Sequence, residues 1–283
     1  MDSKITIKDF KNLICSELNS IYPLNEILSI YSILLEQRLN ISKVEVALYP
    51  EKEIPSYQLL EDLKRLKKAE PIQYILGVAP FRNLELKVTP DTLIPRPETE
   101  ELVELILQDS ALNKKDNLQI LDIGTGSGCI AVTLAKETSN SNVVATDISE
   151  KALKIAQKNN EKLETNVKFL VGDLFEPVKN MSFDLIVSNP PYIPNGEAIG
   201  PTVIHEPEVA LYGGNKGLDF YERIIRESKN YINPHGLIAF EHANNTKAEL
   251  AELALKYYPN AKVTQFQDLS KRDRFTFIEV GEL

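Results

Sequence analysis

The chain has 283 residues, 43% of them hydrophobic and 26% charged, with a formal net charge of −9. That length suits two domains, and that composition excludes a wholly disordered chain. The charge gives no general basic face for phosphates, so nucleic-acid binding is not expected.

No run approaches the roughly 18 apolar residues of a membrane span. Met1-Asp2-Ser3-Lys4-Ile5-Thr6 lacks the charged and apolar regions of a signal peptide. Cys15 and Cys129 stand too far apart for a disulfide framework or a zinc site, and His205, His235 and His242 are irregularly spaced. No metal or membrane is therefore expected, and a reducing cytoplasm is the expected compartment. The one dense basic cluster, Lys64-Arg65-Leu66-Lys67-Lys68, reads as a solvated helix face in preference to a phosphate site.

From Thr6 to about Lys68 apolar residues recur at helical spacing. Ile7, Phe10, Leu13, Ile14 and Leu18 form one stripe, and Ile27, Ile30, Tyr31, Leu34 and Leu35 form another. Pro23, Pro50 and Pro55 punctuate them, which predicts a small helical bundle. Leu84, Leu86 and Val88 alternate with Glu85 and Lys87, a strand signal between Phe81 and the prolines at 90, 95 and 97. This predicts a hairpin or extended linker. A helix carrying Leu102, Val103, Leu105 and Ile106 opens at Thr99-Glu100-Glu101.

From Gln119 onward strand and helix alternate. Strands are predicted at residues 120–123, 143–146, 167–170 and 183–187, then at 237–240, 262–266 and 275–280. Helices fall between them, as at Ala152 to Asn160 and Leu218 to Tyr231. Such alternation predicts an α/β fold, with a mostly parallel sheet covered on both faces. Its ligand should lie beyond the carboxyl ends of the strands.

The first of these strands runs into Gly124-Thr125-Gly126-Ser127-Gly128. Alternate glycines let a backbone turn tightly and lie against a ligand. Cys129 breaks the dinucleotide pattern G-x-G-x-x-G, so a pyrophosphate is disfavoured, and a plain tight turn is the structural alternative. Asp147, about twenty residues on, is placed to accept hydrogen bonds from both ribose hydroxyls of a nucleoside. It is also placed to cap the helix at Ala152. Asp173 closes the third strand and is a candidate for an adenine amino group, with Leu174 packing on the ring. A turn or cap is its structural alternative.

The fourth strand ends in Ser188-Asn189-Pro190-Pro191-Tyr192. Proline cannot continue a central strand, and it holds Asn189 extended. Pro190 and Pro191 have fixed φ and no N–H. The stiff segment therefore offers mainly acceptors, the Asn189 side-chain oxygen and the Pro190 carbonyl. A planar amide or exocyclic amine is a poor nucleophile. As it attacks a sulfonium methyl group its N–H bonds become stronger donors, and two fixed acceptors favour that transition state over the ground state. Tyr192 is placed to cover the planar acceptor. The structural alternative, a proline-rich surface turn, does not explain its place after strand four of a sheet with this glycine loop.

Several strings resemble bacterial release-factor glutamine methyltransferases, the PrmC/HemK family. They are Pro71-Ile72-Gln73-Tyr74-Ile75-Leu76-Gly77 with Phe81, Leu93-Ile94-Pro95-Arg96-Pro97-Glu98-Thr99-Glu100, and Asp122 to Gly128 with Asp147 and Asp173. The tetrapeptide Asn189 to Tyr192 and the downstream strings Glu206-Pro207, Gly213-Gly214, Gly217 to Tyr221 and Asp268 to Arg274 extend the match. Asn-Pro-Pro-Tyr recurs in many nitrogen methyltransferases, and the string Pro95 to Glu100 narrows the choice. Asn83 and Ala243 stand where the family commonly has glycine.

The resemblance implies a Rossmann-like class I methyltransferase sheet of seven strands and a small all-α N-terminal domain, joined by a β-hairpin linker. The implied domains are a helical substrate-docking domain over 1–75, the linker over 76–98 and the S-adenosylmethionine-dependent methyltransferase domain over 99–283. It further implies S-adenosylmethionine as cofactor, bound by Gly124, Thr125, Gly126, Ser127, Gly128, Asp147, Asp173, Leu174 and Asn189. The implied reaction methylates the glutamine side-chain nitrogen in the Gly-Gly-Gln motif of peptide-chain release factors. Asn189, Pro190 and Tyr192 would act in catalysis, and Asn189, Pro190, Pro191 and Tyr192 would hold the substrate. Arg96 is expected to be a structural anchor at the domain junction. Two other functions stay open: an adenine-N6 DNA methyltransferase that flips its base, and a non-catalytic S-adenosylmethionine-binding adaptor.

Overall fold

The computed structural model describes residues 3–138 and 140–282. The chain divides into two compact units. The first comprises the chain up to Gly77 together with Gly200–His205, and the second comprises Val78–Ile199 and Glu206–Leu283.

In the first unit, β1 (Lys4–Thr6) leads into α1 (Ile7–Leu18), followed by α2 (Leu24–Leu39), α3 (Lys43–Leu48), β2 (Glu53–Pro55), α4 (Tyr57–Leu66) and α5 (Ile72–Leu76). The expected stripes bury Ile7, Phe10, Ile14 and Leu18 on α1, and Ile27, Ile30, Tyr31, Leu34 and Leu35 on α2. Local chemistry sets the helix ends. Thr6 Oγ1 caps α1 by accepting from the Asp9 N–H (3.0 Å), Ser42 and Glu45 form a capping box on α3, and Asn40 stops α2 in the left-handed conformation.

The unit is not all-α. β1 and β2 pair antiparallel, with Ile5 opposite Ile54. Three residues a side are too few to show an alternation, so the sequence hides this ribbon. The basic cluster on and after α4 is largely paired: Lys64 with Glu61, Arg65 with Glu70 and Lys67 with Glu17.

The second unit opens with a hairpin, β3 (Val78–Phe81) and β4 (Leu84–Lys87), and α6 (Pro97–Leu107). Then come β5 (Leu118–Ile123), α7 (Cys129–Glu137), β6 (Ser141–Asp147), α8 (Glu150–Lys162), β7 (Val167–Val171) and β8 (Phe183–Ser188). The last elements are α9 (Asp219–Ser228), β9 (Ile232–Glu241), α10 (Lys247–Tyr257), β10 (Lys262–Gln267) and β11 (Asp273–Glu279). α6 starts two residues before Thr99, with Pro97 at its first position, where a missing N–H costs nothing.

Seven strands form one sheet in the order β10-β11-β9-β8-β5-β6-β7. All pairs are parallel except the two made by β11. The order reverses between β5 and β8, the switch point where α/β sheets bind ligands. One face buries Leu102, Val103 and Ile106 of α6 with Ile130 and Leu134 of α7. The other buries Tyr221, Ile224 and Ile225 of α9 with Leu250 and Ala254 of α10.

The expected linker over 76–98 is not a separate piece. Phe81 and Leu86 of the hairpin are fully buried members of the sheet's core. The buried Asn159 of α8 accepts from the Lys87 N–H (2.7 Å) and donates to the Lys87 carbonyl (3.0 Å). In the hairpin turn the left-handed residue is Arg82 (φ +52°), not Asn83. The Arg82 guanidinium is held by Glu104 (2.7 Å) and Glu137 (3.0 Å). Ala243 does not need glycine either, because its φ is not positive. Among the described residues no helix is long and apolar enough to cross a membrane.

Candidate active site

The tips of β5, β6, β7 and β8 meet at one cleft of about 840 Å³ measured to its open mouth. Its walls include Gly124, Gly126, Asp147, Asp173, Leu174, Asn189, Pro190 and Pro191. Hydrogen bonds fix these tips to one another. The Gly124 and Thr125 N–H groups donate to the Thr146 carbonyl (2.8 and 3.1 Å), and the Gly172 N–H donates to the Asp147 carbonyl (3.0 Å).

The glycine loop turns through positive φ at Gly124, Gly126 and Gly128. Thr125, Ser127 and Gly128 do not line the cleft; they shape the loop from behind. Thr125 Oγ1 donates to Asp122 Oδ2 (2.6 Å), and the Ser127 carbonyl accepts from Asn159 Nδ2 (2.8 Å). Gly128 packs on α8, where an added Cβ would sit 3.0 Å from the Ala156 Cβ. Asp122 is fully buried below the loop, and burial pushes its carboxyl up to about 7. Its Oδ1 has no hydrogen-bond partner among the described residues, and the nearby Ala131 N–H pulls the carboxyl down against burial.

Asp147 lies at the cleft wall and is not the cap of α8; that place is taken by Ser149, which accepts from the Ala152 N–H (3.2 Å). Asp147 Oδ2 accepts from the Gly126 N–H and Oδ1 from the Ser149 N–H, both at 2.8 Å. Burial raises its carboxyl, against the opposing pull of those two donors. Each oxygen keeps a second lone pair, so the carboxylate can still accept from a ligand. Asp173 pairs with Arg223 (2.7 Å), an ion pair the sequence did not suggest. Leu174 holds φ +49°, a left-handed conformation that costs a branched side chain roughly 1–3 kcal/mol and that collects at functional sites.

At the end of β8, Ser188 is fully buried and Asn189 half-buried. Asn189 Nδ2 donates to Thr99 Oγ1 (3.2 Å), which leaves its Oδ1 as the free end of the amide. Thr99 Oγ1 in turn donates to Glu241 Oε2 (2.7 Å). The following segment is braced from behind: the Ile193 N–H donates to the Leu211 carbonyl (2.9 Å) and the Gly213 N–H to the Ile193 carbonyl (2.8 Å). A Cβ on Gly213 would collide with the Pro191 carbonyl, so only glycine fits there. Tyr192 does not line the cofactor-sized cleft. It packs against the core of the second face, where burial raises its phenol. Arg96 is tied to the buried Glu206, whose Oε2 also accepts from the Ile94 N–H (3.2 Å).

The donor and acceptor balance suits a nucleoside with a cationic tail. The loop gives backbone room, the acids at the tips of β6 and β7 accept from hydroxyl or amino groups, and Leu174 and Ile224 supply apolar wall. Among the described residues no basic side chain lines the cleft, which does not suit a phosphate.

Residues 103–275 match the Methyltransferase small domain family, and residues 14–77 match the PrmC N-terminal domain family. The release factor glutamine methyltransferase of Flavobacterium psychrophilum is 40% identical over 278 residues, 95% of this chain and 97% of the relative. The chain belongs to the release factor glutamine methyltransferase family. The member from Lactococcus lactis subsp. lactis is 42% identical over 224 residues, 78% of this chain and 82% of its own length. A 16S rRNA methyltransferase of T. thermophilus, in complex with AdoMet and guanosine, shares the sheet architecture. Its TM-score is 0.54 at 20% identity, covering 72% of this chain and 49% of that one. The sheet is thus the Rossmann-like class I methyltransferase sheet.

Sequence reasoning about the family missed Thr99 and Glu241. Glu241 is a lone acid at the end of an apolar strand, buried to 1% exposure. Burial pushes its carboxyl up to about 7, against the Thr99 hydrogen bond and the Arg274 charge. A charged residue in Leu237-Ile238-Ala239-Phe240-Glu241 was the available signal, because acids are almost never fully buried without a partner.

Proposed function

We propose that this family member transfers a methyl group from S-adenosylmethionine to the side-chain amide nitrogen of the glutamine in the Gly-Gly-Gln motif of peptide-chain release factors. The observation that carries the reading is the free Asn189 Oδ1 at the tip of β8, in one cleft with the glycine loop of β5. The relatives' shared name supplies the acceptor, release-factor glutamine.

In this reading Gly124, Gly126, Asp147, Asp173 and Leu174 hold the cofactor, and Thr125, Ser127 and Gly128 keep the loop in shape for it. Bound there, S-adenosylmethionine supplies an electrophilic methyl group. Asn189 Oδ1 and the Pro190 carbonyl accept from the two N–H bonds of the glutamine amide. Those bonds become stronger donors as positive charge grows on the nitrogen, so the two acceptors favour the transition state. Holding the nitrogen in line is worth about 7–11 kcal/mol of barrier. Pro191 keeps the segment rigid, and Tyr192 covers the planar acceptor. The nitrogen loses its proton readily once it is cationic, so no strong base is required before transfer.

The N-terminal helical part, residues 1–75, would dock the release factor, with 99–283 as the methyltransferase domain. Release factors would be the partners, without direct nucleic-acid or membrane binding, in the cytoplasm. A test uses labelled cofactor with release factor, with a Gln-to-Ala release factor and with duplex DNA. Label on the first alone is expected. Label on DNA and not on release factor overturns the reading in favour of an adenine-N6 methyltransferase, and label on none leaves a cofactor-binding adaptor.

A further inference from the structure

We infer that Thr99 and Glu241 decide which end of the Asn189 amide faces the acceptor nitrogen, and that a proton on Glu241 reverses the choice. The inference rests on the methyl-transfer reading for its consequence in catalysis, but its structural part stands apart from that reading.

The argument is one of hydrogen-bond polarity. An ionised carboxylate only accepts, and a threonine hydroxyl has one proton. With Glu241 ionised, the Thr99 proton must point at Glu241 Oε2, 2.7 Å away. Thr99 Oγ1 is then left as an acceptor toward Asn189, 3.2 Å away, so the amide turns Nδ2 to Thr99 and Oδ1 outward. The chain of bonds also polarises in one direction, which makes Oδ1 a better acceptor for an N–H of growing positive charge. Once Glu241 holds a proton it can donate to Thr99, whose own proton is then free to point at Asn189. The amide flips, and Nδ2 meets the acceptor nitrogen donor to donor.

The surroundings make this titration accessible. Glu241 is fully buried, and its backbone carbonyl is held by the Tyr221 hydroxyl (2.9 Å). The charges facing it are Arg274 from β11, Arg96 and Glu98 from the start of α6. Tyr192 after β8, Cys129 of α7 and the adjoining His242, whose Nε2 meets Thr276 Oγ1 at 3.0 Å, complete the titratable neighbours. Arg274 and Arg96 favour the carboxylate, while Glu98 and burial oppose it, which leaves the carboxyl at about 7.

Thr99 and Glu241 are positioning residues, so the test must separate them from mere packing. At saturating cofactor and release factor, kcat of the parent is expected to fall on the acid side of neutrality. Glu241→Gln should lose that acid limb, and Thr99→Val should lower kcat at least tenfold with little change in KM. Thr99→Ser, which restores the hydroxyl, should recover most of the lost rate. In parallel, NMR of the Asn189 side-chain amide should show its signals moving with the Glu241 titration in the parent and static in Glu241→Gln. An acid limb that survives Glu241→Gln, or Asn189 signals that ignore the titration, overturns the inference. Signals that move together in a protein that methylates no release factor uphold the network and sink the proposed function instead.

Discussion

The Ser188 hydroxyl donates a 2.7 Å hydrogen bond to the Ile123 carbonyl. It joins the last residue of β8 to the last residue of β5, the strands that run into the tetrapeptide Asn189 to Tyr192 and the glycine loop. The two halves of the candidate site are thus tied at their base by a fully buried side chain. Ser188→Ala should cost about 1–3 kcal/mol, because it leaves a buried carbonyl without this donor. Denaturant unfolding measures that loss. The catalytic effect should exceed the stability effect, read as a drop in kcat at a temperature where the variant is fully folded.

Asn189→Ala should keep cofactor binding within a few-fold and lower methyl transfer by about 10²–10³, the usual effect of removing one aimed transition-state partner. Calorimetry with the cofactor and single-turnover methylation of release factor measure the two quantities. Equal turnover by the variant and the parent would remove Asn189 from the mechanism.

Gly213 has no space for a side chain because the Pro191 carbonyl lies where its Cβ would go. Gly213→Ala should push the tetrapeptide forward, at a cost of about 1–3 kcal/mol from overpacking. Methylation should fall more than cofactor affinity does, since the glycine loop is braced by other contacts. A proportional loss of both would show that the brace supports the whole cleft.

Asp122 and Glu241 both have carboxyls raised to about 7 by burial. Between the ordinary carboxylate range and about 7, the unfolded chain releases these protons while the folded protein keeps them. Their stability contribution is therefore present in acid and is lost as pH rises through about 7. One carboxyl raised this far corresponds to roughly 4 kcal/mol. Glu241→Gln should accordingly raise the melting temperature at pH 8 and change it little at pH 5. A variant equally destabilised at both pH values would show that Glu241 is held as a carboxylate throughout.

In the first unit Asp62 is fully buried and accepts from Arg38 Nε (2.8 Å), Arg38 Nη2 (3.2 Å) and Gln58 Nε2 (2.9 Å). Arg38 Nη2 also donates to the Ile75 carbonyl (3.0 Å), joining α2 to α5. Removing the guanidinium leaves a buried carboxylate short of its cation, which typically costs 3–5 kcal/mol. Arg38→Ala should thus unfold this unit at lower denaturant, while Arg38→Ala with Asp62→Leu should recover part of the loss.

The seven strands of the sheet were legible because each is an apolar run or alternation bounded by turn residues, and β5 to β8 each end at or just before a glycine, aspartate or asparagine. The helical stripes on α1 and α2 were legible for the same reason. The ribbon of β1 with β2 was not, since three residues hold no period. The hairpin read as a linker because its sequence shows an alternation but not what Phe81 and Leu86 pack against. In the site, the glycine loop and Asn189 could be found from local spacing. The Thr99–Glu241 bond joins residues 142 positions apart, so only the folded sheet brings them together. Likewise, nothing near Asp173 in sequence announces Arg223, which reaches it from α9.

β11 is the last strand in the chain, yet it lies between β9 and β10 inside the sheet. During synthesis every other strand leaves the ribosome before it. Until residues 273–279 emerge, β9 and β10 have no partner on the sides that will face β11, and the sheet stops at β9. Without residues 273–279 the sheet would lack the interior strand that holds Phe275, Phe277 and Ile278 in the core. The sheet therefore cannot be completed strand by strand in chain order: β10 reaches it only through a strand that follows it, so this edge should be the last part of the sheet to form.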